Sequence, residues 1–229
     1  MSMKPKNIFF FLGSNTGPLA NALFLDSIFG QENLPEPPFI LAVNHVSIPD
    51  GWLISNFMMD CFDMPAWTIG RDDFWIGKRW SNFIGPRLGG IVIDWRCPAK
   101  ALERAREVLL KKGIIQIFPE GTRNPDKRAL CLGKTGVARL ALSARVPVVP
   151  VGYFGPRVAT TFDGIKNFVF KRNLARIVFG KALDFSEYYG KTIDRDLLYE
   201  VTDKIMIEIG KLCDKRPRLH VISNPKRTY

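Results

Sequence analysis

The sequence predicts an α/β fold, with a mostly parallel central sheet flanked by helices in a single domain. Short apolar runs alternate with amphipathic segments of helical length, which is typical of the strand–helix units that build a parallel sheet. The length of 229 residues suits one ordinary domain. A hydrophobic content of 46% is enough to bury a core, which excludes a disordered or fibrous chain.

The first predicted strand covers residues 39–43, an unbroken apolar run (Phe-Ile-Leu-Ala-Val) of the kind that is buried on both faces of a sheet. A short helix is predicted at residues 51–59. Two further strands are predicted at residues 66–69 and 90–93. These elements supply the first half of the predicted domain.

The clearest helix covers residues 99–112, because Leu102, Ala105 and Leu109 share one face and Gly113 follows as a stop signal. The strand after it is ended by a proline. The remaining elements are predicted as follows: strand 114–118, helix 134–144, strands near 148–151, 167–170 and 176–179, and a helix at 194–213.

Three segments are expected along the chain: an N-terminal apolar segment at 1–27, the α/β domain at 28–213, and a basic C-terminal tail at 214–229. Residues 7–25 carry no charge, but Gly-Ser-Asn-Thr-Gly-Pro at 13–18 interrupts them, so a membrane-spanning helix is not expected. The segment could rest as an apolar foot in a membrane interface, or it could pack on the protein's own core.

The formal net charge of +11 is concentrated in the second half of the chain. Residues 1–98 carry 7 basic and 9 acidic side chains, whereas residues 99–229 carry 26 basic and 13 acidic ones. Residues 123–176 alone hold 11 basic and 2 acidic side chains. This clustering indicates an anionic partner, which could be nucleic acid, an anionic membrane or a phosphorylated substrate.

The cysteines and histidines predict no metal site. Four cysteines lie far apart without a C-x-x-C pair, and His45 and His220 are the two histidines of the chain. No zinc-ligand spacing exists among them, and a reduced, cytosol-facing protein is the default expectation. His220 falls in the basic tail and is expected to be exposed and inert.

His45 and Asp50 follow the first predicted strand in the pattern Asn44-His45-x4-Asp50. Histidine is the usual general base, and a carboxylate can fix its tautomer. On a regular helix five residues would leave the two side chains roughly 140° apart, so the backbone has to turn between them. Pro49 favours such a turn. The alternative is a loop histidine with Asp50 serving only as a helix cap.

A second candidate loop, Phe-Pro-Glu-Gly-Thr-Arg at residues 118–123, follows another predicted strand. Gly121 lets the backbone approach a ligand closely, and Arg123 offers a planar fork for a phosphate, to which Thr122 can add a donor. Ligands of parallel sheets bind at the carboxyl ends of the strands, where both loops are predicted to lie. The alternative is a tight surface loop in which Arg123 pairs with Glu120.

Together, Asn44-His45-x4-Asp50 and residues 118–123 resemble the glycerolipid acyltransferase family, specifically the 1-acylglycerol-3-phosphate acyltransferases. The resemblance extends over about residues 28–152 in the same order. Residues 31–35 (Gln-Glu-Asn-Leu-Pro) look like the lead-in to the family's first strand. Residues 146–151 (Val-Pro-Val-Val-Pro-Val) look like its later proline-flanked strand.

The resemblance implies transfer of a fatty acyl group from acyl-CoA or acyl-carrier protein to the free hydroxyl of a lysoglycerophospholipid. The expected acceptor is 1-acyl-glycerol-3-phosphate, which would give phosphatidic acid. His45 would be the general base and Asp50 its orienting partner. Arg123 would contact the acceptor's phosphate, and the residues implied to bind the acceptor are Glu120, Gly121, Thr122 and Arg123.

Direct transfer without an acyl-enzyme is expected, since a thioester is already activated and the chain contains no G-x-S-x-G. No cofactor or metal is expected. The expected partners are the acyl donor, the lysophospholipid and an anionic membrane surface, without nucleic acid. The expected location is peripheral, on the cytoplasmic face of the cell membrane.

The middle motif departs from the family's usual Gly–apolar–Ile–Asp–Arg. Here Gly-Ile-Val-Ile-Asp at residues 90–94 is followed by Trp95, and Arg96 comes one place late. A shift of one residue can turn a side chain to the opposite face of a strand, so Arg96 either contacts phosphate or ends a strand in solvent. Lys134, at the start of the next helix, could likewise approach a phosphate or be solvated.

Other functions stay open at this point. A related acyltransferase or transacylase could use another lysolipid acceptor, and a thioesterase could use the same His/Asp pair with water. A basic nucleic-acid-binding module is suggested by the charge alone, without an arginine-rich arm or an aromatic RNA-binding pattern to support it.

Overall fold

The computed structural model describes residues 19, 21–47, 50–71, 87, 89–93, 97–124, 126–156 and 175–221. Its strands are β1 (Leu25–Phe29), β2 (Phe39–Val43), β3 (Ala66–Arg71), β4 (Gly90–Ile93), β5 (Ile114–Ile117), β6 (Ala129–Leu132), β7 (Val148–Phe154), β8 (Ala175–Phe179) and β9 (Arg216–Arg218). Its helices are α1 (Asp50–Phe62), α2 (Pro98–Leu110), α3 (Gly136–Ala144) and α4 (Arg195–Cys213). Short 3₁₀ turns lie at Gln31–Asn33 and Ser186–Tyr188.

Seven strands form one sheet in the order β1-β8-β7-β2-β5-β3-β4. Five of the six neighbouring pairs are parallel, and β7 with β8 is the antiparallel pair. The predicted α/β class with a mostly parallel central sheet is therefore confirmed. A separate two-stranded ribbon pairs β6 with β9.

The central position of β2 in the sheet explains why its sequence is an unbroken apolar run. All five of its residues are buried, because side chains that alternate along a strand enter two different cores. Ile40 and Ala42 join the core on one face, and Phe39, Leu41 and Val43 join the core on the other. Burying a side chain of this size stabilises the fold by about 1.5–3 kcal/mol.

Helices cover both faces of the sheet. Leu53, Ile54, Phe57 and Met58 of α1 pack into the core that contains Phe39. The other core, around Ile40, receives the apolar faces of α2, α3 and α4. The result is a three-layer α/β/α arrangement in which neighbouring parallel strands end at the same edge.

The register between β2 and β5 positions the two candidate loops. Phe39 is the Cα partner of Ile114, and Ala42 is the partner of Ile117. Since both strands run in the same direction, the loop that follows Val43 and the loop that follows Ile117 leave the sheet side by side.

The structure adds three strands that the sequence patterns did not predict: β1, β6 and β9. Residues 216–221 of the expected tail belong to the packed structure, because β9 pairs with β6 and His220 contacts α4. The domain thus continues beyond the boundary expected at residue 213.

Several predicted features lie outside the described residues: the strand at 167–170, the side chains of Trp95 and Arg96, and most of the N-terminal segment. Within the described part of the chain, no helix combines the length and the apolar character needed to cross a bilayer.

Candidate functional site

His45 and Glu120 face each other at the carboxyl edge of the sheet. Continuing the β2–β5 register past the strand ends keeps the same sequence offset of 75 and puts residue 45 beside residue 120. The backbone N–H of His45 donates to Glu120 Oε1 at 3.0 Å. The two loops singled out by the sequence are therefore brought together by one hydrogen bond between them.

The imidazole of His45 is paired with the carboxylate of Asp50. The distance from Nδ1 to Asp50 Oδ2 is 2.9 Å, and the side chains are 13% and 1% exposed. A carboxylate only accepts, so in neutral His45 the proton sits on Nδ1 and Nε2 is left to accept a proton. The turn expected at Ile48 and Pro49 lies outside the described residues, and Asp50 is the first residue of α1.

Asp50 is fixed from several sides. Oδ2 also accepts from the backbone N–H groups of Val46 and Ser47, each at 3.0 Å, and Oδ1 accepts from Gly51 N at 2.8 Å. A carboxylate at a helix N-terminus is further stabilised by the helix dipole. Asp50 thus opens α1, accepts from three backbone N–H groups and is the partner of His45.

The backbone of His45 is held at both of its polar groups. Its N–H donates to Glu120, and its carbonyl oxygen accepts from Asn124 N at 2.8 Å. The imidazole ring stacks on Phe118, with ring centroids 4.1 Å apart and 24° between the planes. These contacts leave the ring little freedom to leave its position beside Asp50.

Glu120 occupies a different place from the one implied by the family resemblance. Its side chain is buried, at 2% exposed. Oε2 accepts from Asn124 Nδ2 at 2.6 Å and from Cys131 N at 2.7 Å, while Oε1 accepts from His45. Both oxygens are engaged by donors of the protein itself, so the carboxylate acts as a tie between loops.

The rest of the loop is open to solvent. Thr122 and Arg123 are exposed, and Gly121 is half-buried with a φ of 65°. A Cβ at Gly121 would lie 2.6 Å from Cε and Nζ of Lys134, so the lysine side chain crosses directly over this glycine. The structure therefore brings a second cation, Lys134, to the loop that carries Arg123.

Asn44 anchors the end of β2 to β7 through its side chain. Its Nδ2 donates to the carbonyl oxygen of Tyr153 at 2.9 Å, and its Oδ1 accepts from Tyr153 N at 2.7 Å. The side-chain amide of Asn44 thus makes the two hydrogen bonds to β7 that a backbone peptide group would make, at the point where the chain leaves β2. Burial raises the pKa of the Tyr153 phenol, and the nearby Asp50 carboxylate adds to the shift, so the phenol stays neutral.

Cys131 is the thiol beside this network. Burial raises the pKa of the Cys131 thiol, and the negative charge of Glu120 raises it further. The protonated thiol is a poor nucleophile, which argues against a cysteinyl intermediate at this place. All four cysteines of the chain are free.

The sequence patterns singled out His45, Asp50 and the 118–123 loop, but they gave no sign of Asn124, of the stacking of Phe118 on His45 or of the hydrogen bonds made by Glu120. Asn124 is buried and also donates to the carbonyl oxygen of Ala129 at 2.8 Å. An Asn directly after a glycine-containing loop carries no distinctive pattern, so its role becomes visible only in three dimensions. Groups of residues suited to hold a metal ion are absent from the described part of the chain.

Comparisons with known proteins identify the family of this chain. The family model described as acyltransferase matches residues 27–154, which include both candidate loops. A 1-acyl-sn-glycerol-3-phosphate acyltransferase of Bacillus subtilis is 23% identical over 195 residues, covering 84% of this chain and 90% of the relative. One of Chlamydomonas reinhardtii is 30% identical over 141 residues, covering 56% of this chain and 38% of the relative.

The coverage differs between relatives. The chain spans 38% of the Chlamydomonas protein and 47% of a 1-acyl-sn-glycerol-3-phosphate acyltransferase of Pseudomonas aeruginosa, which is 31% identical over 131 residues. Among solved structures, the 1-acyl-sn-glycerophosphate acyltransferase of Thermotoga maritima superposes with a TM-score of 0.58 and 23% identity. The matched region covers 89% of this chain and 79% of the Thermotoga chain, and the match supports the fold.

Proposed function

Because this chain belongs to the acyltransferase family, we propose that it transfers a fatty acyl group from a thioester donor to the hydroxyl of 1-acyl-glycerol-3-phosphate, giving phosphatidic acid. The observation that carries the proposal is the His45–Asp50 pair at 2.9 Å, beside a loop with two cations. The relatives compared above are named for this acceptor, and the paired site supplies the chemistry that the reaction needs.

The proposed reaction uses His45 as the general base and Asp50 as the carboxylate that supports it. His45 Nε2 accepts the proton of the acceptor hydroxyl as its oxygen attacks the thioester carbonyl. Asp50 stabilises the imidazolium that forms. The C–S bond then breaks, and the leaving thiolate takes the proton back from the imidazolium. Atoms and charge balance without a covalent acyl-enzyme, and no cofactor enters the scheme.

The proposed acceptor site is the exposed part of the 118–123 loop. Arg123 offers a planar pair of donors to the phosphate, and the Lys134 ammonium beside Gly121 adds a second positive charge. Thr122 can donate a further hydrogen bond. Glu120 is proposed as a positioning residue, because its carboxylate holds the backbone of His45.

The donor is proposed to be acyl-CoA or acyl-carrier protein, since both present the same thioester to the base. A peripheral position at the cytoplasmic face of the membrane fits an enzyme whose acceptor and product are lipids. The excess positive charge of the chain suits an anionic membrane surface.

An acceptor screen tests the proposed function. With one acyl-CoA and detergent-dispersed acceptors, lysophosphatidic acid should be used at least about 10-fold better than lysolipids that lack the terminal phosphate, since a charge-assisted contact contributes about 1.5–3 kcal/mol. Free fatty acid as the sole product would contradict transfer and indicate a hydrolase.

Arg123→Ala should raise the acceptor KM about 10-fold or more and leave the donor KM nearly unchanged, because a phosphate partner is lost from one site only. Arg139→Ala is the matched control, because Arg139 is exposed on α3 outside the loop. Equal effects of Arg123→Ala on both substrates would contradict the assignment.

A further inference from the structure

We propose that the ribbon formed by β6 and β9 docks this protein on an anionic bilayer surface. This docking proposal rests on the proposed function, because an enzyme that acts on a lipid acceptor has to reach the bilayer in which the acceptor is found. Its main support is a surface of mixed charge and apolar character, called the ribbon patch and made up of Lys127, Arg128, Leu132, Arg216, Arg218, Leu219 and Val221.

The ribbon patch carries four positive charges, and the neighbouring Asp126 carboxylate offsets part of the charge of Arg218. Its four cationic side chains are exposed, and Lys127, Arg128 and Arg216 have no ion-pair partner among the described residues. Each cation near an anionic leaflet strengthens binding, and several acting together give a stable association. The patch therefore fits a surface of negative headgroups.

A groove of about 620 Å³ lies beside the ribbon patch, between the ribbon and the C-terminal end of α4. Lys211 and Lys215 add two cations to its lining, and Asp214 is the one carboxylate among the described residues that line it. Lys211 is paired with Glu208 at 2.6 Å, so its charge is partly neutralised. The groove extends the positive surface and offers depth for a phosphate headgroup.

Three exposed aliphatic side chains lie near these cations along the chain or across the ribbon, where Leu132 is the Cα partner of Arg218. Leu132 is 46% exposed, Leu219 is 43% exposed and Val221 is 91% exposed. Nucleic acid gains little from aliphatic side chains, whereas a bilayer interface buries them while the neighbouring cations meet the headgroups. The combination favours a membrane over a nucleic acid as the partner.

The ribbon is bonded directly to the candidate active site. Cys131 N in β6 donates to Glu120 at 2.7 Å, and Asn124 Nδ2 donates to the carbonyl oxygen of Ala129 at 2.8 Å. The strand β9 is joined to the segment just before β6, since Arg216 N donates to the carbonyl oxygen of Arg128 at 2.9 Å. Docking through the ribbon would hold the Arg123 loop at a fixed place relative to the lipid surface.

Flotation of the full chain with vesicles tests the charge part of the proposal. Wild-type protein should bind phosphatidylcholine vesicles that contain phosphatidylglycerol, and high salt should weaken this binding. Lys127→Glu with Arg128→Glu should lower the vesicle partition coefficient by at least about 25-fold, taking about 5-fold for each cation removed. Lys100→Glu with Arg104→Glu, on α2, is the matched control and should leave binding unchanged.

The apolar part is tested separately. Leu219→Ser with Val221→Ser should weaken vesicle binding, and the weakening should persist at high salt because the lost contribution is not electrostatic. Leu110→Ser changes an exposed leucine on α2 and should have no effect. In all these variants, turnover of a detergent-dispersed acceptor should stay at the wild-type level.

The proposal would be overturned if vesicle binding of the wild type were insensitive to salt, or if patch and control variants lost the same amount of vesicle binding. It would also be overturned if the Lys127/Arg128 double variant lost binding to duplex nucleic acid but still bound vesicles. The fourth contradicting result is a loss of CoA binding by that double variant, measured in the absence of vesicles. The salt series needs no substitution, so misfolding of a variant cannot mask the answer. Patch-dependent vesicle binding without any acyl transfer would support this inference and refute the proposed function, so the two can fail independently.

Discussion

At the scale of single residues, the candidate site depends on how His45 is held. Its ring is paired with Asp50, and its backbone N–H and carbonyl oxygen are bonded to Glu120 and Asn124. Catalytic groups lose rate when they are misplaced by about 1 Å, so these backbone contacts affect chemistry as well as stability. Glu120 is therefore expected to act on turnover rather than on acceptor affinity.

Glu120→Gln tests this role. The amide keeps one acceptor oxygen, but it turns an NH₂ group toward donors of the protein, which leaves a buried mismatch. We expect kcat to fall about 10- to 100-fold with little change in the acceptor KM. We also expect the free energy of unfolding to fall by about 1–3 kcal/mol.

The exposed Glu32→Gln serves as the control for that experiment, because the substitution is the same and the carboxylate is at the surface. A rise in the acceptor KM of Glu120→Gln, with kcat retained, would show that the carboxylate contacts substrate after all.

The expected contact between His45 and Asp50 is present in the structure, and it is local in sequence. The two residues are five positions apart, and Pro49 between them predicts a turn. The bond from His45 to Glu120 spans 75 residues and needs the β2–β5 register, which apolar patterns do not specify. The resemblance implied that Glu120 binds the acceptor, whereas in the structure both of its carboxylate oxygens accept from donors of the protein itself.

At the scale of elements, the loop between β5 and β6 is shaped by Gly121. Its φ of 65° is costly for other residues, and its missing Cβ leaves room for the Lys134 side chain, which enters from the start of α3. A lysine end is flexible, so an added methyl group would displace the ammonium rather than disrupt the core.

Gly121→Ala and Gly190→Ala separate the two effects. Gly190 has a φ of 86° and nothing within 4 Å of an added Cβ. Both variants should lose about 1–2 kcal/mol of unfolding free energy from backbone strain. Only Gly121→Ala should also raise the acceptor KM, by about 10-fold, because the Lys134 charge moves away from the loop.

The double variant Gly121→Ala with Lys134→Ala completes the test. If the lysine transmits the effect, the acceptor KM of the double variant should match that of Lys134→Ala alone, whereas additive effects would show that the lysine is not involved.

Elements with long apolar or amphipathic patterns were predicted well, and their boundaries differ from the predicted ones by at most three residues. The predicted helix at 99–112 is α2 (Pro98–Leu110), and the predicted strand at 148–151 is part of β7 (Val148–Phe154). The unpredicted strands are short or mixed in composition. The Arg-Pro-Arg sequence of β9, for example, is a strand only because β6 pairs with it.

At the scale of the whole molecule, the C-terminal segment closes back onto the domain. The expectation that His220 is exposed is wrong: its side chain is 8% exposed, and Nδ1 lies 2.6 Å from Oδ1 of the fully buried Asp203 in α4. Its backbone N–H donates to Asp203 Oδ2 at 2.9 Å, and its ring stacks on Tyr199. A buried aspartate within an amphipathic helix gave no sign of a partner 17 residues further along the chain.

His220→Ala should lower the free energy of unfolding by about 1.5–3 kcal/mol, since one hydrogen bond to a buried carboxylate is lost. Chemical denaturation measures the change, and Val221→Ala, at the exposed neighbouring position, should leave the free energy of unfolding unchanged. Equal stability of His220→Ala and the wild type would show that the C-terminal segment does not close the domain.

The most direct test of the proposed acyl transfer is the rate of phosphatidic acid formation from labelled acyl-CoA and lysophosphatidic acid, compared between wild type and His45→Ala. The wild type should form phosphatidic acid, and His45→Ala, still folded by circular dichroism, should lose about 10²–10⁴-fold in kcat. Full activity in folded His45→Ala would refute His45 as the general base.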